Sequence, residues 1–113
     1  MIKGYYIEED ALILKATRGE RKVRLEGDIA EVVFSGKISL ATVCTWDKKE
    51  DTVFVVNDEG EVVYRIKTTD DFKIEGVKID DEKGMVLEAS AKEDGKWVKG
   101  LYAYVAGEGF VKK

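Results

Sequence analysis

The stretch VFVVNDEGEVVYRIK, Val53–Lys67, decides how the rest of the chain is read. Two runs rich in Val, Tyr and Ile flank Asn57-Asp58-Glu59-Gly60, and a glycine closing a short polar loop supplies the positive φ that hairpin turns favour. Beyond the loop, Val62, Tyr64 and Ile66 share one face while Glu61, Val63, Arg65 and Lys67 take the other. That period of two marks a half-buried strand.

Working outward, the same alternation predicts strands at Ile2–Glu8, Ala11–Thr17, Lys22–Glu26, Ile29–Ser35, Ile38–Trp46, Thr52–Asn57, Glu61–Thr68, Phe72–Ile79, Met85–Ala91, Trp97–Ala106 and Gly109–Lys113. Turns at Arg18-Gly19-Glu20, Ser35-Gly36-Lys37 and Glu93-Asp94-Gly95 separate several of them. Connections this short make neighbouring strands antiparallel, because a parallel crossover needs about a dozen residues or more. No segment carries the capped amphipathic run of a helix, and Asp80 to Met85, interrupted by Gly84, reads as a turn. Along Phe72–Ile79 the apolar phase switches at Gly76, the mark of a bulge or sharp bend. The expectation is one all-β domain over residues 1–113, an antiparallel meander closed as a small barrel or folded as a two-sheet sandwich.

A chain of 113 residues can bury one continuous core without disulfides or metals, and 44% hydrophobic with 37% charged residues suits a packed interior under a solvated surface. The net charge of -4 disfavours nucleic acid, although a single positive face is compatible with it. No apolar run approaches the roughly 20 residues that span a bilayer, and MIKGYYIEED lacks a signal core, so a cytoplasmic location without membrane attachment is expected. Cys44 is the sole cysteine, which agrees with a reducing compartment. The chain has no Gln and no His and a single Asn, while Glu, Lys and Val abound, the direction in which heat-adapted proteins shift.

Chemistry is narrowed by what is missing. Without His, and with one Cys, neither a Ser-His-Asp nor a Cys-His system can form, nor a zinc site of His and Cys within one chain. Gly107-Glu108-Gly109 opens no helix and reads as a hairpin loop rather than a phosphate cradle. The acidic clusters Glu8-Glu9-Asp10, Asp70-Asp71 and Asp80-Asp81-Glu82 fall at turns, so no metal site and no cofactor is expected.

Three internal echoes connect distant parts of the chain. Val53–Val63 aligns with Leu101–Val111 at an offset of 48, Ile29–Val33 with Ile74–Lys78 at an offset of 45, and Ile2–Tyr6 with Val98–Tyr102. The first two offsets match the length of a four-stranded blade, and Val53–Lys67 resembles the outer strand pair of a β-propeller blade. The resemblance covers two blades and a leading hairpin, and Trp46-Asp47 precedes the hairpin instead of closing a blade. It implies propeller-like blades assembled between chains, since propellers close with about four to eight of them. Glycine-turned meanders also echo themselves for local reasons, and the sequence leaves both readings open.

The aromatic residues supply the candidate site. Tyr5, Tyr6, Tyr102 and Tyr104 lie near the two ends of the chain, and Tyr102 and Tyr104 share a face with Val98 and Gly100, where they form either a binding stripe or core packing. Cys44, on the face of Leu40, Thr42 and Trp46, reads as a small buried residue. The expected function is a non-enzymatic binding or assembly module using the aromatic stripe or strand edges, through self-association or another protein. The alternative is a small-ligand carrier or carboxylate-dependent enzyme with its site inside a barrel, drawing on groups such as Glu31, Glu75, Glu88, Asp80 or Tyr104.

Overall fold

The computed structural model describes residues 1–47, 50–80 and 84–112. Residues 81–83, part of the third acidic cluster and of the turn expected after Asp80, and Lys113, the end of the last expected strand, lie outside them. The described residues form eleven strands and no helix. These are β1 (Ile2–Glu8), β2 (Ala11–Ala16), β3 (Gly19–Arg24), β4 (Asp28–Ser35), β5 (Leu40–Asp47), β6 (Glu50–Asn57), β7 (Val62–Lys67), β8 (Phe72–Asp80), β9 (Gly84–Glu93), β10 (Lys96–Val105) and β11 (Gly109–Lys112). Among the described residues no helix is long and apolar enough to cross a membrane.

The strands pair only with sequence neighbours, always antiparallel, in three separate meanders: β1-β2-β3, β4-β5-β6-β7 and β8-β9-β10-β11. The fold is therefore all-β and sandwich-like, and no closed barrel forms. Instead of two sheets there are three, and the middle one is covered on both sides. On one side Ala41, Val43, Phe54 and Val56 pack with Ile2, Leu12, Leu14 and Val23 of the first sheet. On the other, Cys44 and Val53 pack with Ile74, Val77, Leu87 and Ala89 of the last. This double burial explains why β5 and β6 read as nearly continuous apolar runs in the sequence.

Each sheet opens on a strand with the same irregularity. One extra residue bulges out between Ile2 and Gly4 in β1, between Ile29 and Glu31 in β4, and between Ile74 and Gly76 in β8. The 45-residue echo thus joins two equivalent first strands. The 48-residue echo joins β6–β7 to β10–β11, the third and fourth strands of their sheets. The third echo has no such counterpart, since β1 is an edge strand and β10 an internal one.

The stacking of the sheets is not uniform. A Cβ on Gly36, just past β4, would lie 3.1 Å from the carbonyl oxygen of Ile2, and the Tyr5 ring meets Phe34 edge-on at 6.2 Å, so β1 crosses β4 in the opposite direction. The first and middle sheets consequently meet through equivalent faces, Tyr5 on one side and Val32 and Phe34 on the other. The last sheet instead lays its corresponding face, Ile74 and Val77, on the back of the middle sheet.

Candidate interaction surfaces

The four tyrosines are not brought together. Tyr102 sits between the middle and last sheets, edge-on to Phe72 at 5.5 Å, and Tyr104 packs against Tyr64 at 6.2 Å and Phe110 at 5.5 Å. The space beside Gly100 is filled by the aliphatic chain of Lys112, which lies 3.2 Å from where a Cβ would stand, and by the Tyr102 ring. The terminal amine of Lys112 reaches Glu93 at 2.9 Å, and this hydrogen bond raises its pKa. The Tyr102–Tyr104 stripe therefore packs sheet against sheet.

Tyr5 and Tyr6 belong to β1, where alternation sends them to opposite faces. On the outer face Tyr6 donates a hydrogen bond to Glu20 at 2.9 Å, which raises the phenol's pKa, and Lys15 lies 5.4 Å over its ring. Tyr5 shares the inner face with Ile7, since they pair with the buried Leu14 and Leu12. Both protrude beyond the core at the sheet margin, Tyr5 being 39% and Ile7 48% exposed.

Six strands lie at sheet edges, and they differ in how they are protected. The β3 edge carries Glu20, Arg21, Lys22 and Arg24, and β7 carries Arg65, Lys67 and a register shift opposite Val55 and Val56. β11 has four described residues. β4 and β8 are tied together, because Val77 N–H donates to Glu31 at 2.8 Å. β1 presents four successive uncharged residues after its bulge, Gly4-Tyr5-Tyr6-Ile7, with Tyr5 and Ile7 projecting together, whereas the uncharged run Val32-Val33-Phe34-Ser35 of β4 is half-buried. Sequence reasoning does not single out Ile7; the uncharged run on a terminal strand is the signal that points to it.

The carboxylates considered for a barrel site are dispersed and engaged. Glu31 accepts from Val77, Glu88 pairs with Lys78 at 3.4 Å, and Glu75 accepts from Ser90 and pairs with Lys99 at 3.2 Å. The Ser90 hydrogen bond, then Lys99, lowers the Glu75 pKa. Asp80 ends β8 and also makes an interaction of its own. Among the described residues no group of three acidic or cysteine side chains is placed to hold a metal ion.

A cleft of about 410 Å³ opens where the β2–β3 turn meets the β6–β7 turn, lined by Ala16, Thr17, Arg18, Arg21, Asp58 and Glu59 together with Met1. The amino group of Met1 reaches Asp58 at 2.9 Å; this hydrogen bond, helped by the charge of Arg18, lowers the Asp58 pKa. Comparison with known proteins gives no match: no family model, curated protein or solved structure is similar to this chain.

Proposed function

We propose that the chain is a non-enzymatic assembly module that associates with a second copy of itself through the edge of β1. The observation that carries this reading is the uncharged run Gly4-Tyr5-Tyr6-Ile7 on an edge strand, with Tyr5 and Ile7 exposed on one face. Two β1 strands meeting antiparallel about a two-fold axis would join two three-stranded sheets into one of six, with Tyr5 and Ile7 of each copy beside those of the other.

Two other readings have less support. Blades related by rotation about one axis would all stack front to back, whereas the first sheet is turned over. Both outer faces also bear charge, Lys15, Glu20 and Lys22 on the first sheet and Lys78, Glu88, Glu75 and Lys99 on the last. A carrier or carboxylate enzyme would need converging acids, and these are separately engaged.

Sedimentation velocity at micromolar concentration tests the proposal. A dimer that becomes monomeric on Ile7→Lys supports it; a wild-type monomer at tens of micromolar, or a dimer indifferent to Ile7→Lys, contradicts it.

A further inference from the structure

All four arginines of the chain, Arg18, Arg21, Arg24 and Arg65, belong to the β2–β3 hairpin or to β7. None forms an ion pair among the described residues, although five ion pairs occur elsewhere and involve lysines or the terminal amine. Arg21 pairs across the ladder with buried Leu14, so it lies on the face of the first sheet that meets the middle sheet. Arg65 pairs with Phe54, a member of the same interlayer core, and so faces the first sheet from below. Two guanidinium groups thus border one margin from opposite layers.

That margin is where the first sheet stops one strand short of the others. Its opening strand carries the same bulge as β4 and β8, yet it holds three strands against their four. β3 abuts the β6–β7 loop, a Cβ on Gly60 lying 3.1 Å from Arg21 Cβ and 3.5 Å from Val23. Beyond β3 nothing in the first sheet covers β7, and Val62, which shares a face with buried Val56, is left 46% exposed. One more strand beside β3, at the usual spacing of about 4.8 Å, would lie over Val62 and Arg65.

We infer that this margin binds an extended acidic peptide segment of another protein, which adds to β3 as a fourth strand. Backbone pairing with β3 supplies the affinity common to strand addition, and every second side chain faces inward, over Val62 and between Arg21 and Arg65. An inward Glu lays its methylenes on Val62 and offers its carboxylate to guanidinium groups that have no ion-pair partner among the described residues and whose planar forks donate in bidentate fashion. Asp58 and Glu59 close the end of the margin at the cleft. The site uses a different edge from β1 and does not depend on self-association.

Fluorescence anisotropy with a labelled peptide of about eight alternating Glu and Val residues tests the assignment. Saturable binding is expected, weakened at least about tenfold by the double change Arg21→Glu, Arg65→Glu and by a central proline in the peptide, which removes a ladder donor. Three results would overturn the inference: no binding up to millimolar peptide, equal binding of the proline peptide, or tighter binding of a single-stranded oligothymidine of equal charge. If the double variant loses the wild-type circular dichroism spectrum, exposed Arg65→Gln decides: weakened binding supports the site and unchanged binding overturns it.

Discussion

The backbone N–H of Val77 donates to the Glu31 carboxylate across 2.8 Å, so the bulged segment of β4 satisfies the bulged segment of β8. This one bond links the opening strands of two sheets that share no ladder. It satisfies a donor at a place where the bulge has disrupted regular pairing.

Glu31→Ala should therefore destabilise the fold by about 1–3 kcal/mol, the usual cost of stranding a partly buried donor. Glu31→Gln keeps an acceptor oxygen and should cost clearly less. Urea unfolding of the two variants checks the difference, and equal losses would mean that the bond contributes little.

Gly109 should be intolerant of any side chain. Its φ is +89°, and a Cβ there would collide with the Tyr64 ring, which also packs on Phe110 at 5.9 Å. Left-handed backbone costs alanine roughly 1–2 kcal/mol and overpacking adds about 1–3, so Gly109→Ala should lose about 2–5 kcal/mol. In a double-mutant cycle Tyr64→Leu should recover part of that loss by removing the struck ring atoms, which chemical denaturation can measure.

Much of this architecture is legible in the residues, and the limits of legibility have physical causes. All eleven strands are predictable because alternation and glycine turns are local signals. Boundaries shift where a turn is tighter than its composition implies. Asp94 and Gly95, both with positive φ (51° and 77°), make a two-residue turn that lets β9 run to Glu93 and β10 start at Lys96. Ser39 at φ +55° delays β5 to Leu40 and leaves Ile38 in the turn. The bulge at Gly76 is readable from its phase switch, but those at Lys3 and Ala30 are not, because β1 keeps aromatic residues on both faces and β4 is apolar on both.

The division into three sheets is hidden. The β3–β4 and β7–β8 connections are as short as hairpin loops, and only long-range packing shows that they carry the chain from one layer to another. The same non-locality separates the tyrosines: their sequence positions suggest one surface, and stacking leaves Tyr102 and Tyr104 half-buried against neighbouring rings. In the sequence the arginine margin shows only as a basic cluster broken by Glu20, because Arg65 joins it through tertiary structure.

Tyr102 and Tyr5 should respect that division when replaced. Tyr102→Ala removes a ring held against Phe72 between two sheets and should cost about 2–4 kcal/mol, seen as a lower unfolding midpoint. Tyr5→Ala, on the exposed margin, should cost less than about 1.5 kcal/mol while weakening self-association. The reverse ranking would place the aromatic stripe on the surface after all.

Cys44 should behave as an inert core residue. Burial, then the charges of Asp51 and Glu31, push its thiol pKa up to about 11 from an ordinary 9.0, so the thiolate is scarce at neutral pH and alkylation should be slow in the native state. Because the native pKa is the higher one, the contribution to stability is complete below pH 9 and is lost as pH rises towards 11, where the unfolded chain has already released its proton. Relative to Cys44→Ala, which lacks this titration, wild type should lose up to about 3 kcal/mol across that interval. Unfolding curves of both proteins at several alkaline pH values would show parallel behaviour if the thiol were not shielded.

Concentration-dependent amide hydrogen exchange in β1 is the most direct measurement of edge-mediated assembly. Along Gly4-Tyr5-Tyr6-Ile7, outward-facing amides should exchange rapidly in dilute protein and become protected as concentration rises through the association range, while exposed amides of β7 do not change. Protection that appears elsewhere while β1 stays open, or no change in β1 at concentrations where a dimer is present, would contradict assembly through this edge.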